Sequence, residues 1–155
     1  MPFDFLKLLD KYPSLFFQIA IYILLLCLVL IILHSIGLQT IGKREGIKRS
    51  WFAWIPFLEG FLLGKVVSFK FGVNSAWFIF VVLILKDAAS RYDNLFANVF
   101  GYAIFAFMNV VYYWLFRKYS NKAILMTIFS VLTLNLITPI FIFAIRLNEQ
   151  QIKTD

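Results

Sequence analysis

The sequence has few of the residues that disulfides, metal sites and common enzyme classes require. It contains one cysteine, Cys27, and one histidine, His34. One thiol cannot form an internal disulfide, and a histidine without further ligands at suitable spacing gives little support for a metal site. The motifs G-x-S-x-G and H-E-x-x-H and the P-loop are also absent. We therefore expect a protein that is not an enzyme and that holds no metal or other cofactor.

Charged residues are scarce as well. They make up 15% of the chain, whereas hydrophobic residues make up 62% and the mean hydropathy is +0.85. Soluble domains are closer to half apolar and a quarter charged. A soluble fold of 155 residues could not bury so much apolar surface. The composition predicts a single membrane domain over residues 1–155, in contact with the lipid bilayer and without a nucleic-acid partner.

Long apolar runs predict an all-α, integral membrane helical bundle with four transmembrane spans. A hydrocarbon core about 30 Å thick needs roughly 20 apolar residues in a helix. Three runs reach this length, at 15–38, 95–116 and 123–145. A further span is predicted at 66–85, although its apolar part is shorter.

Residues 51–64 are predicted to form one interfacial or re-entrant helix instead of a span. Pro56 lacks a backbone N–H and would break or kink a helix. Glu59 would cost roughly 2.5–3.5 kcal/mol at the centre of a bilayer. Gly60 and Gly64 share one helical face with Pro56, and small residues on one face allow close packing in lipid.

The positions of Lys and Arg predict the orientation of the chain. With four spans, the connections 39–70 and 117–122 lie on one side and hold nine of the fifteen Lys and Arg residues. The positive-inside rule places that side in the cytoplasm and both termini outside. If residues 51–69 also crossed, the split would become eight against seven and the bias would vanish.

A group of cationic and aromatic residues surrounds the start of the 51–64 segment. Its members are Lys43, Arg44, Lys48, Arg49, Trp51 and Trp54. The simplest interpretation is that the cations fix the topology and the tryptophans belong to an interfacial belt. A second is a docking surface for anionic lipid headgroups or a membrane protein partner, since each basic residue near an anionic leaflet contributes about 1 kcal/mol. A third is a site centred on Glu59.

Polar residues inside the apolar segments allow two interpretations. They are Glu59, Asn98, Asn109, Asn135 and the helix-breaking Pro139. They could form interhelical hydrogen bonds, worth about 0.6 kcal/mol each on average, or line a polar path where Pro139 frees a carbonyl. Transporters and channels usually carry more ionisable groups or inverted repeats. His34 is interpreted as a polar interfacial residue near the end of the first span.

Two segments resemble a known group of proteins. K-R-E-G-I-K-x-x-W-x-A-W-I-P, which begins at Lys43, and T-P-I-F-I-F-A-I-R-L-N, which begins at Thr138, are similar to segments of small, largely uncharacterised multi-spanning membrane proteins of Gram-positive bacteria. The resemblance implies a bacterial cytoplasmic membrane and supplies no active residues.

The function predicted from these features is that of a non-catalytic polytopic protein of the cell membrane. It would be an accessory or immunity-type component that acts through a membrane partner or through lipid. The alternative is a small transporter or channel with a polar path through the bundle.

Overall fold

The computed structural model of the protein describes residues 13–89, 91 and 95–151. These residues form seven α-helices and one short 3₁₀ helix, with no β-strand among them, which confirms the all-α prediction. The helices are α1 (Pro13–Arg44), α2 (Leu58–Val66), α3 (Ser68–Phe71), α4 (Ser75–Ala89), α5 (Leu95–Tyr119), α6 (Ala123–Leu132) and α7 (Thr138–Ile145), and the 3₁₀ helix covers Ser50–Trp54.

Two helices, α1 and α5, are long and apolar enough to cross a membrane. α1 has 32 residues and α5 has 25, which correspond to about 48 Å and 37 Å at 1.5 Å per residue. This finding agrees with an association with membranes. The finding rests on helix length and composition. The other helices in the described part of the chain are shorter than α1 and α5.

The structure does not support four spans. The segment predicted to span at 66–85 is divided among the end of α2, the single turn of α3 and the first part of α4, with Gly72 (φ +84°) between α3 and α4. The segment predicted at 123–145 is divided into α6 and α7 by a turn. Leu134 and Asn135 both have positive φ in that turn, so a continuous helix is impossible.

One end of the structure collects the C-terminal ends of α1, α5 and α7. The Arg44 Nη1 atom donates hydrogen bonds to the carbonyl oxygens of Arg146 (2.9 Å) and Asn148 (2.6 Å). The Asn148 side-chain amide donates to the Tyr119 carbonyl at 3.0 Å. We call this the cationic end. It carries Lys43, Arg44, Lys48, Arg49, Lys65, Lys70, Arg117, Lys118, Lys122 and Arg146.

The described C-terminal residues therefore lie at the opposite end of α1 from Pro13. The backbone N–H of Gln151 donates to the Lys118 carbonyl at 2.7 Å, which fixes the tail beside the last turn of α5. The structure thus does not support the prediction that both termini lie on the same side. The reason is that α6 and α7 turn back where the sequence predicted one crossing helix.

Residues 50–66 leave the cationic end and return to it, and we call them the first hairpin. Trp54 Nε1 donates to Gln39 Oε1 on α1 at 3.0 Å on the outward path. The chain turns at 55–57, where Phe57 has a φ of +67°. On the return path, the Val66 carbonyl accepts a hydrogen bond from Lys118 Nζ at 3.2 Å.

Residues 123–145 form a second hairpin with the same course. α6 packs on α5, and α7 returns along α1. The contact between α7 and α1 is close at Gly37, where a Cβ atom would lie 2.9 Å from the Phe143 backbone nitrogen. Both turns lie beside His34, which is ten residues before Arg44 and so about 15 Å along α1.

The hydrophobic core occupies the half of the molecule nearest the cationic end. Leu38 and Ile41 of α1, Leu62 of α2 and Leu115 of α5 have no exposed surface. Residues 14–29 of α1 extend beyond this core and are exposed along almost their whole length. A bilayer is the environment in which such an apolar, unpacked helix is stable.

A buried ion pair fastens the core at the cationic end. The Lys118 side chain is 2% exposed, and its Nζ atom lies 2.8 Å from Glu45 Oε1. The Tyr119 hydroxyl also donates to this carboxylate, as does the Gln150 amide at 2.8 Å. One carboxylate thus joins the end of α1 to α5 and to the C-terminal tail.

Candidate functional site

A cavity of about 320 Å³ lies against the middle of α1, at the turns of both hairpins. We call it the α1 cavity. Its apolar wall consists of Cys27, Leu30, Ile31, Leu136 and Pro139. Its polar end consists of His34, Ser35, Glu59 and Asn135. The cavity therefore offers a small set of hydrogen-bonding groups at one end of an apolar surface, as ligand sites commonly do.

His34 and Glu59 form the charged part of the cavity. His34 Nε2 lies 3.8 Å from Glu59 Oε2, and the two side chains are 15% and 38% exposed. This separation is an ion-pair distance when the imidazole is protonated, and it is too long for a direct hydrogen bond. A ligand or water between these atoms could bond to both.

Local structure places Glu59 in the cavity. It lies in the first turn of α2, directly after the turn at 55–57. Pro56 interrupts helical hydrogen bonding, and Phe57 reverses the chain with a positive φ. The carboxylate thus enters the cavity from the turn of the first hairpin.

Asn135 reaches the cavity from the turn of the second hairpin. Its backbone N–H donates to the Ser130 carbonyl at 2.6 Å, and its Oδ1 atom accepts from the Thr138 hydroxyl at 3.1 Å. Pro139 occupies the second position of α7, where a missing N–H costs nothing. The Asn135 side-chain amide can donate to a ligand, because Thr138 engages only its oxygen.

Part of the apolar wall of the α1 cavity is exposed. Two residues of its wall, Ile31 and Leu136, are 63% and 64% exposed. They belong to different elements, α1 and the turn of the second hairpin. The cavity wall is therefore accessible from outside the protein on two separate elements.

The structure divides the polar residues that the sequence placed on one path. Glu59, Asn135 and Pro139 line the α1 cavity. Asn98 is exposed on α5, and Asn109 is buried. The Asn109 amide donates to the Phe105 carbonyl at 2.8 Å, and its Oδ1 atom has no hydrogen-bond partner in the described residues. Neither Asn98 nor Asn109 lines this cavity.

The six cationic and aromatic residues predicted to bind lipid or a partner are all exposed at the cationic end. Their environments differ, however. Arg44 bonds to the C-terminal tail, and Trp54 bonds to Gln39. Lys48 and Arg49 line a separate hollow together with Lys65.

Two residues have roles that the sequence reasoning missed. His34 was interpreted as an interfacial residue, yet it lies opposite Glu59. The signal for this pair was present, since both are ionisable groups within apolar segments, and such groups usually pair. Lys118 was counted with the charged 117–122 connection, and nothing in the local sequence distinguishes it from its exposed neighbour Arg117.

Comparison with known proteins returned no relative. No protein family matches the chain, and neither a curated protein nor a solved structure matches it. Among the described residues, no group of three His, Cys, Asp or Glu side chains is placed to hold a metal ion.

Proposed function

We propose that the protein is a non-catalytic component of the cell membrane that binds a lipophilic molecule in the α1 cavity. The observation that carries this proposal is the cavity itself. It has an apolar wall, on which Ile31 and Leu136 are largely exposed, and a polar end made by His34, Glu59 and Asn135. An accessory or immunity-type role would follow from capturing or presenting such a molecule.

The proposed topology has three crossings and two re-entrant hairpins. α1 and α5 cross, and α4 would also have to cross, because α5 begins away from the cationic end and finishes at it. α4 is about 22 Å long, so the bilayer would thin locally around it. The turns of both hairpins would then lie near the bilayer midplane.

The division of Lys and Arg residues between the two ends supports this topology more strongly than it supports four spans. Of the twelve Lys and Arg residues in the described part of the chain, ten lie at the cationic end, and the others are Lys86 and Arg91. The positive-inside rule places the cationic end in the cytoplasm. The N-terminal end of α1 is then outside, and residue 151 is cytoplasmic.

Cysteine labelling tests the topology. In a Cys27→Ala background, Asn121→Cys and Glu149→Cys flank the second hairpin, and Arg91→Cys follows α4. A membrane-impermeant maleimide should label positions 121 and 149 only in inverted vesicles, and position 91 only in right-side-out vesicles. Labelling of positions 149 and 91 from the same side would restore the four-span topology.

Photocrosslinking tests the binding function. A photoreactive amino acid at Ile31 faces the α1 cavity, whereas one at Leu24 lies on the same helix outside it. We expect mass spectrometry to find a discrete lipophilic adduct at Ile31 in native membranes, and Glu59→Gln to remove it at unchanged protein abundance. The same distribution of adducts at both positions would show bulk lipid and reject the proposal.

A second candidate is a small transporter or channel. The specific observation in its favour is that two interrupted helical segments meet with polar residues beside α1, as discontinuous helices do in secondary transporters. In proteoliposomes, Glu59→Gln would abolish cation flux if this function is correct. The binding function predicts no flux in either the original protein or the variant.

A further inference from the structure

The cationic end contains a second hollow, separate from the α1 cavity. Its volume is about 380 Å³, and its lining includes Lys48, Arg49 and Lys65 over an apolar floor of Ile47 and Phe61. No acidic residue lines it. We propose that this hollow binds the phosphate headgroup of an anionic phospholipid.

The end of α1 sets two of the three cations in place. The N–H of Ile47 donates to the Gly42 carbonyl at 2.9 Å, and the N–H of Gly46 donates to the Lys43 carbonyl at 3.1 Å. Together with the φ of +69° at Gly46, these bonds form a Schellman motif. The motif turns the chain sharply, so Lys48 and Arg49 lie over the first hairpin instead of continuing the axis of α1.

The third cation comes from the last turn of α2. Lys65 Nζ lies 5.2 Å from the centre of the Phe61 ring, and the Arg49 guanidinium lies 5.9 Å from the centre of the Phe52 ring. These aromatic contacts hold both cations beside the hollow without neutralising them. Cations from two separate segments therefore face one space.

Among the residues that the structure describes, none of these three cations forms an ion pair with a carboxylate. Within the described residues, the acid nearest in sequence, Glu45, is engaged by Lys118, Tyr119 and Gln150. The other two ion pairs there, His34–Glu59 and Arg91–Asp87, do not involve the hollow. An external anion would supply the missing counter-charge, and a phosphate can accept bonds from both lysine and arginine donors.

The surroundings favour a lipid phosphate over a free one. Trp51, two residues beyond Arg49, is 52% exposed, and amphipathic tryptophan rings concentrate at the headgroup level of membranes. The apolar floor can hold the glycerol and the start of an acyl chain, which inorganic phosphate lacks. The site differs from the cluster expected from sequence, because Arg44 is used by the C-terminal tail and Lys65 joins from α2.

Native mass spectrometry of the full-length protein tests this site. The purified protein in detergent is mixed with equal amounts of phosphatidylglycerol and phosphatidylcholine, and the retained lipids are counted. The variant Lys48→Gln/Arg49→Gln/Lys65→Gln removes the hollow's cations. The control Lys43→Gln/Lys70→Gln/Lys122→Gln removes equal charge from the same end, outside the hollow.

We expect the first variant to lose its preference for phosphatidylglycerol at least tenfold, since each basic side chain contributes about a fivefold preference for an anionic surface. The control variant should keep most of its preference, because its three cations do not line the hollow and so do not contact a headgroup bound there. Equal losses in the two variants would show a diffuse surface effect and overturn the proposal. Displacement of phosphatidylglycerol by excess inorganic phosphate would also overturn it, because the site would then recognise a free anion.

Discussion

The first and second hairpins reach the same point on α1, but they are held there differently. α2 of the first hairpin has five buried residues among its nine, and it packs between α1 and α4. α6 of the second hairpin buries only Ala123 and Ser130 among its ten. α2 of the first hairpin is thus largely buried, although the turn before it is exposed, whereas α6 of the second hairpin presents much of its apolar surface outward.

The charges of the two hairpins differ in the same way. The first carries Glu59 at its turn and Lys65 on its return, whereas the second contains no charged residue between 123 and 145. A charge at bilayer depth is stable only when protein or water surrounds it. The first hairpin, with its more buried α2, supplies the ionisable Glu59 of the α1 cavity, and the second hairpin contributes the Asn135 amide.

The largest expected effect comes from removing the buried Lys118 amine, which bonds to Glu45 and to the end of the first hairpin at Val66. Lys118→Met leaves the Glu45 carboxylate without its ion pair and the Val66 carbonyl without its donor. We expect a loss of about 3–5 kcal/mol in unfolding free energy, the range for breaking a buried pair. Thermal unfolding in detergent measures this loss, and the exposed Lys122→Met is the control, with no significant change expected.

Cysteine labelling tests whether the loss of stability in Lys118→Met opens the first hairpin alone or both hairpins. A cysteine at Phe57 reports on the first turn, and one at Leu134 reports on the second. Lys118→Met should raise the labelling rate at position 57 much more than at position 134. Equal increases would mean that the two hairpins open as one unit.

The second-largest expected effect comes from disturbing the close contact between α2 and α4 at Gly64. A Cβ at Gly64 would lie 2.5 Å from the Ala76 Cα atom and 2.7 Å from the Ser75 carbonyl oxygen. Gly64→Ala must separate α2 from α4 and strain the bond from the Ser75 hydroxyl to the Gly64 carbonyl. We expect a loss of about 1–3 kcal/mol in the unfolding free energy.

Gly101→Ala is the matched control, because nothing lies within 4 Å of the Cβ position there. Alanine favours a helix over glycine by about 1 kcal/mol, so this variant should be as stable as the original or slightly more stable. If both alanine variants behaved alike, the close contact between α2 and α4 would be refuted.

The smallest effect tests the turn of the second hairpin. Leu134 has a φ of +50° and is 75% exposed, so its side chain contributes little packing. Leu134→Gly should raise the unfolding free energy by about 0.5–1 kcal/mol, because glycine avoids the left-handed penalty. Leu132→Gly, at a residue 72% exposed within α6, should lower it by about 1 kcal/mol. A loss in both variants would indicate a continuous helix through this turn.

The sequence predicted the elements whose signals are local. The apolar run at 95–116 corresponds to α5, and Pro56 lies in a break between helices. The division of the segment 123–145 into two helices was harder to predict, because its hydropathy is that of one continuous apolar run. The turn forms at Leu134 and Asn135, and no glycine marks it in the sequence. Thr138 and Pro139 signalled a break, but the direction of the chain after it is set by packing on Gly37.

The site was only partly predictable for a similar reason. Glu59, Asn135 and Pro139 stand out in the sequence as polar or helix-breaking residues in apolar surroundings. These residues meet at His34 because the turns of both hairpins lie at the same distance along α1 from the cationic end. No short-range sequence pattern encodes that distance. The hollow of Lys48, Arg49 and Lys65 likewise depends on contacts between α2 and the end of α1.

The hydrogen bonds of the C-terminal tail have a consequence for how the protein is made. Arg44 is joined to Arg146 and Asn148, partners more than 100 residues later in the chain. In the topology that we propose, α1 enters the membrane before residues 146 and 148, which cover its last turn, are synthesised. In the same proposed topology, the second hairpin returns to the side of the membrane that it left, so the tail is released on the side where its partners lie. Under that proposal, the charged tail residues Arg146 and Glu149 need not cross the bilayer during assembly.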